Sequence, residues 1–268
     1  MRWVRHTLRS LGETVDWIQK NSFDEILLRL IQVALPAQLI PSRKVFFWGE
    51  RVGEISSYVT GWLAGKGIEV IVLDGANRFD PYTASSFARR AWISPERLLK
   101  KIRIARAFTC YQMAIMIIER LPSLLITESQ KPWIVLLGPI TTFLDEDVPE
   151  REVRPLFEKS LRKIEEMALR GIPFLLFQSD GFSSPPFIRE GSRRPEPDYG
   201  AGQVGELRNS KRIYFMRKLF QLANEVWRIN LDGEAPKMIL EKGSGLNIIE
   251  NCKLQNEKCK FAKKDLIP

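Results

Sequence analysis

The sequence predicts an α/β fold: a mostly parallel sheet flanked by helices, preceded by a helical segment and closed by a β-hairpin. Three observations carry this prediction. From Lys44 onward, short apolar runs alternate with amphipathic stretches, a rhythm that places strands in one layer with helices on both faces. The stretch before Pro36 instead repeats apolar residues at helical spacing. Near the carboxyl end, Asp232-Gly233 separates two strand-like runs, the signature of a tight hairpin.

Taken in order, residues 1–41 form the helical segment. Ser22-Phe23-Asp24-Glu25 matches a capping box, in which the Ser22 hydroxyl and the Glu25 carboxylate satisfy each other's backbone amides. Phe23, Ile26, Leu27, Leu30, Ile31 and Ala34 then line one face, and Pro36 and Pro41 end it. Residues 42–242 form the core. Strands are expected at 44–48, 69–73, 102–108, 133–137 and 173–177, with helices near 54–64, 85–92, 110–120, 150–170 and 208–222. Ser94-Pro95-Glu96-Arg97 adds a short capped turn with proline at its first helical position. Runs at 225–231 and 237–240 form the hairpin. Residues 179–210, rich in Ser, Pro, Gly and Arg, make a loop long enough to be functional or disordered. The polar, lysine-rich tail, 243–268, is expected to be a mobile extension.

Composition narrows the chemistry. The chain has 268 residues, 44% of them hydrophobic and 27% charged, enough for one large core. No continuous apolar run approaches the ~18–20 residues that span a bilayer, and the basic start lacks a secretion signal, so a cytoplasmic location without membrane partners is expected. The single histidine, His6, sits near the amino end, which argues against a Ser-His-Asp triad. Cys110 reads as a small buried hydrophobe. Cys252 and Cys259, separated by six residues with no histidine nearby, do not supply a zinc set. No metal is expected. The net charge of +9 favours an anionic partner, or simply a solvated basic surface.

The first strand runs into Gly49-Glu50-Arg51-Val52-Gly53-Glu54-Ile55-Ser56 and then a helix. Strand, glycine-bearing turn and helix start are the setting of a phosphate-binding loop, GxxxxGK followed by Ser or Thr. Here the glycine spacing is one residue short, and Glu54 and Ile55 follow Gly53. The other pieces fall in a telling order: Val70-Ile71-Val72-Leu73-Asp74-Gly75-Ala76-Asn77-Arg78-Phe79, then Ile104-Ala105-Arg106-Ala107-Phe108 with Gln112, then Trp133-Ile134-Val135-Leu136-Leu137-Gly138. Asn224-Glu225-Val226-Trp227 through Leu240-Glu241-Lys242 completes the set. In order and spacing this series resembles the core of RecA, RadA and KaiC-type P-loop ATPases over residues 42–242.

The resemblance implies a RecA-like core whose catalytic positions are replaced. The phosphate-loop lysine falls on Glu54, its Mg²⁺ hydroxyl on Ile55, the catalytic glutamate on Ala76 and the Walker B aspartate on Gly138. Asp74 remains, at a position that does not activate water in the family. A charge-assisted hydrogen bond is worth about 1.5–3 kcal/mol, so loss of the lysine alone weakens phosphate binding by roughly one to two orders of magnitude. Glu54 adds negative charge at a helix pole that would otherwise attract an anion. The expectation is a degenerate ATPase that is not an enzyme, has no required cofactor and binds ATP weakly at most. The family's Phe-x-x-Ala docking motif is not evident in the N-terminal linker, which argues against filaments.

Two surfaces suggest another task. Arg89, Arg90, Arg97, Lys100, Lys101, Arg103 and Arg106 face a single acid, Glu96, between residues 89 and 106. The cluster suits a phosphate backbone, or is a solvated helix and strand edge. The long loop carries Arg189, Arg193 and Arg194 where the family has its second DNA-binding loop, although Glu190, Glu196 and Asp198 dilute its charge and a plain flexible insertion fits equally. Asp145-Glu146-Asp147 reads as a loop and helix-start preference rather than a ligand set. The expected function is a non-catalytic RecA-like protein assisting DNA recombination or repair through DNA or an active ATPase partner. The alternatives are a scaffold or regulatory module without nucleic acid, and a weak nucleotide sensor.

Overall fold

The computed structural model describes residues 43–128, 130–145, 147–179, 201–230 and 237–243, with 201–210 and 237 as backbone alone. The expected segment 1–41, the tail after 243, the Asp232-Gly233 turn, and Arg189, Arg193 and Arg194 lie outside these residues.

Among the described residues, seven strands form one sheet: β1 (Lys44–Gly49), β2 (Val70–Asp74), β3 (Ile102–Arg106), β4 (Trp133–Leu137), β5 (Phe174–Ser179), β6 (Glu225–Asn230) and β7 (Lys237–Lys242). Their order is β3-β2-β4-β5-β1-β6-β7, and every pair is parallel except β6 with β7. β2 and β4 are buried throughout, which is why, apart from Trp133 at the start of β4 and Asp74 at the end of β2, they read as Val, Ile and Leu. β3 lies at the edge, and its exposure alternates along Ile102, Arg103, Ile104, Ala105 and Arg106.

Helices cover both faces. α1 (Val52–Gly65), α2 (Pro81–Arg90) and α3 (Pro95–Leu99) pack with Val45, Phe47, Val70, Val72, Val135 and Leu137 in one core layer. The opposite layer joins Phe46, Ile71, Leu73, Ile134 and Leu136 to α4 (Cys110–Ile115), α5 (Leu121–Thr127), α6 (Glu150–Leu169) and α7 (Ala201–Leu222). Successive strand residues therefore serve opposite layers, as the two-residue period requires.

Several boundaries differ from the sequence expectation. α2 begins at Pro81 rather than near residue 85, because the Asp80 carboxylate caps it, accepting from the amides of Tyr82 at 2.9 Å and Thr83 at 3.2 Å. β3 ends at Arg106, and Thr109 caps α4: Gln112 N donates to Thr109 Oγ1 at 3.2 Å, while Gln112 Oε1 accepts from the amide of Phe108, one residue before the cap, at 2.8 Å. The helix expected to stop at Arg120 continues to Thr127 through a π-helical turn, Met116–Arg120. Pro122 has no amide to donate, and a widened turn just before it absorbs the break.

This continuous 18-residue stretch, Cys110–Thr127, has a mean hydropathy of 1.2 and by length and composition reaches the range of a membrane span. Gln112, Glu119 and Arg120 interrupt it, so it is not a continuous apolar run. Cys110, Met113, Ile117 and Leu121 along it pack into the layer beside the sheet.

Candidate functional site: the carboxyl edge of the sheet

In a parallel sheet with helices on both faces, ligands bind at the carboxyl ends of the strands. At that edge β1 and α1 are joined by two residues only, Glu50 and Arg51. Gly49 has φ +126°, and a Cβ there would lie 1.9 Å from the carbonyl oxygen of Ile229. Glu50 N donates to the same oxygen at 3.2 Å, so the turn is fastened against β6. Arg51 adopts the left-handed region at φ 48° and its guanidinium pairs with Glu54. The expected helix start near residue 54 moves back to Val52, and Gly53 and Glu54 sit in the first turn. A phosphate cradle needs backbone amides arched around an anion. A two-residue turn leaves no arch. Ile55, the expected hydroxyl position, is fully buried in the core.

The two expected acid positions meet each other. Gly138, after β4, has φ +66°, and a Cβ there would lie 2.6 Å from Ala76 Cβ and 2.7 Å from Thr141 Oγ1. The space a side chain at 138 would take is already occupied by Ala76 and Thr141. Position 138 therefore has no room for a carboxylate.

Asp74 is fully buried at the end of β2, and its carboxylate organises the following loop. It accepts from the amides of Ala76 at 3.1 Å, Arg78 at 3.2 Å and Phe79 at 2.9 Å. Arg106 Nε stands 3.7 Å from Asp74 Oδ2, and Arg106 Nη2 donates to Phe79 O at 3.3 Å. Asp74 is thus engaged by the protein itself. Gln178, only 2% exposed, is a polar residue that sequence reasoning missed. Its Oε1 accepts from Ile140 N at 3.2 Å and holds the turn after β4. A lone amide ending the run Phe174-Leu175-Leu176-Phe177 was the available signal.

A cleft of about 520 Å³ opens beside this region, lined by Gly75, Phe108, Thr141, Thr142, Leu144, Asp145 and Asp147. Among the described lining residues two are carboxylates, and the nearby Lys211 ammonium donates to the carbonyls of Asp145 at 2.9 Å and Val148 at 3.2 Å, a setting that does not favour a polyphosphate. Asp145 Oδ1 accepts from Asp147 N at 3.1 Å, so this acidic stretch makes a turn. Among the described residues no three His, Cys, Asp or Glu side chains are grouped to hold a metal ion. Cys110 is fully buried, and that burial raises its thiol above the ordinary range.

The basic cluster does not form a single surface. Arg106 lies at the carboxyl end of β3, whereas Arg89, Arg90, Arg97, Lys100 and Lys101 gather before β3, at the opposite edge. Lys101, Arg103 and Arg106 have carboxylate partners. Lys101 pairs with Glu69 at 3.0 Å, Arg103 with Glu128 at 2.6 Å, and Arg106 with Asp74. Arg89, Arg90, Arg97 and Lys100 are exposed.

Lys242, the lysine that ends the hairpin, is also engaged. Its ammonium donates to the carbonyls of Phe220 at 2.8 Å, Gln221 at 3.2 Å and Ala223 at 2.5 Å, closing the carboxyl end of α7. Compared with known proteins, the chain matches no family model and no curated protein.

Proposed function

We propose that the chain is a non-catalytic RecA-like protein that assists DNA recombination or repair by binding DNA, an active ATPase partner, or both. The observation that carries the non-catalytic half is the contact between positions 76 and 138. Where a nucleotide-hydrolysing site needs two carboxylates, the backbone closes around a glycine and an alanine. The short β1–α1 turn and the Arg51–Glu54 pair support the same reading, since the helix pole already faces a carboxylate. The sequence resemblance and the exposed cations before β3 support the DNA half.

A scaffold or regulatory role without nucleic acid is favoured by a different observation. The edge strand β3 exposes Ile104, and Phe108, Tyr111 and Ile115 continue an apolar row along α4. A strand whose outer edge has no neighbour among the described residues, beside exposed apolar side chains, is a ready surface for another chain. Electrophoretic shift of DNA at two salt concentrations separates the readings. Salt-sensitive shifts of any sequence support DNA binding, and no shift at low salt leaves the partner-binding role. Nucleotide titration tests the third reading, a weak ATP sensor.

A further inference from the structure

We propose that the edge of the sheet opposite the nucleotide-type site binds single-stranded nucleic acid, with Trp92 as a base-stacking residue. The proposal rests on the nucleic-acid part of the reading above and adds a place and a strand preference to it.

Three helices of this molecule end in the same hydrogen-bonded motif, in which the two residues after the helix donate back to the last turn. α1 ends with Gly67 N donating to Ala64 O at 2.9 Å and Ile68 N to Leu63 O at 3.2 Å. α6 ends with Gly171 N donating to Ala168 O at 2.8 Å and Ile172 N to Met167 O at 3.2 Å. α2 ends with Trp92 N donating to Arg89 O at 3.3 Å and Ile93 N to Ala88 O at 2.8 Å. The first residue of each pair is left-handed, with φ +87° at Gly67, +86° at Gly171 and +56° at Trp92.

Glycine takes this position because it has no Cβ to strain there. At the third end the chain has a tryptophan, and the fold gains nothing from its ring, which is 95% exposed. Ala91 and Ile93 on either side pack inward against the core. A large aromatic in an unfavourable backbone conformation, with its ring in water, is accounted for by what the ring meets outside the molecule.

Its surroundings select the partner. Arg89 and Arg90 close α2, and Arg97 and Lys100 are exposed on α3. Lys66 follows α1, whose end lies against Phe87 and Ile93: a Cβ on Gly65 would stand 2.9 Å and 3.2 Å from these side chains. Along these three helix ends the acids in sequence are Glu69, which Lys101 already pairs at 3.0 Å, and Glu96, so the cations outnumber them and the surface is complementary to a polyanion. A ring standing out from one residue needs an unstacked base to lie on, which a single strand offers and a duplex does not. Among the exposed apolar side chains, Ile126 and Leu169 also end helices, but these belong to the opposite layer. One aromatic among cations fits a base and its phosphates better than the broad apolar face that enters a lipid surface.

The test is fluorescence anisotropy of the full chain with a labelled oligothymidylate of about 16 nucleotides, a length such sites cover. Trp92→Ala and Trp92→Gly should each weaken binding by about 5- to 150-fold with the salt slope unchanged, and Trp92→Phe should retain most of it. Trp92→Gly should not lower the melting temperature, because glycine suits the left-handed turn. Arg97→Ala with Lys100→Ala should instead flatten the slope by about 1.4. Binding unchanged in Trp92→Gly overturns the stacking site and leaves DNA binding in place. No binding by the unaltered chain at low salt overturns both. Binding to phosphatidylglycerol vesicles, lost in Trp92→Gly, with no oligothymidylate binding, assigns the surface to a membrane and overturns the proposal.

Discussion

At Gly138 a side chain is excluded twice, once by backbone conformation and once by Ala76. Gly138→Asp, which restores the acid that the resemblance expects, should destabilise the protein by about 2–4 kcal/mol through left-handed strain and overpacking. Urea denaturation reads the loss, and adding Ala76→Gly should recover part of it. Asp74 is the opposite case, a carboxylate that the fold cannot spare. In Asp74→Asn an amide nitrogen faces a backbone donor in place of an acceptor, and the charge that Arg106 meets disappears. A cost of about 2–4 kcal/mol is expected from the same measurement. At this scale the sequence was only half legible. The replacements at 54, 55, 76 and 138 are visible in the letters. That Ala76 and Thr141 occupy the space a side chain at 138 would need is a tertiary contact with no local signature.

At the scale of the element, apolar periodicity located the first five strands and the hairpin, because buried parallel strands are continuous hydrophobic runs. Helix ends were less legible, since they depend on capping contacts such as Asp80 with Tyr82 and Thr83, and on the π turn that carries the chain past Pro122. Lys242 shows how a single side chain ties two elements together. Lys242→Met leaves three carbonyls at the end of α7 without their cation and should cost about 1–2 kcal/mol by thermal denaturation.

The α6–α7 contact supplies a pH prediction. Hydrogen bonds to Glu158, first from Tyr214 at 2.6 Å and then from Lys218, hold its carboxyl below the ordinary range. A carboxyl lowered in the folded state stabilises it above the unfolded value of about 4.3 and loses that contribution as pH falls through the lowered value. Glu158→Gln should therefore flatten the acid limb of the stability curve. The effect should be small, because the group is partly exposed.

At the scale of the whole molecule, the two edges of the sheet differ in how their charged groups are engaged. The carboxyl edge, where a P-loop fold would hold its anion, has a fastened turn, Ala76 packed against Gly138 and a cleft with two aspartates. The opposite edge carries Arg89, Arg90, Arg97 and Lys100, while Arg51, Arg78 and Arg106 stay at the carboxyl edge. Sequence order suggested one basic cluster from 89 to 106, but β3 runs through it and separates Arg106 from the rest by the length of the strand. Linear proximity hid that division, and it hid the carboxylate partners of Lys101, Arg103 and Arg106 from residues 69, 128 and 74.

The central claim is that the carboxyl edge no longer accommodates Mg·ATP. Calorimetric titration of the full chain with ATP and Mg²⁺, paired with a single-turnover hydrolysis assay on the same sample, tests it most directly. The account predicts no Mg²⁺-dependent saturation in the micromolar range and no hydrolysis above the buffer background. Tight Mg²⁺-dependent binding, or turnover within about tenfold of typical enzyme rates of 1–10³ s⁻¹, would contradict it.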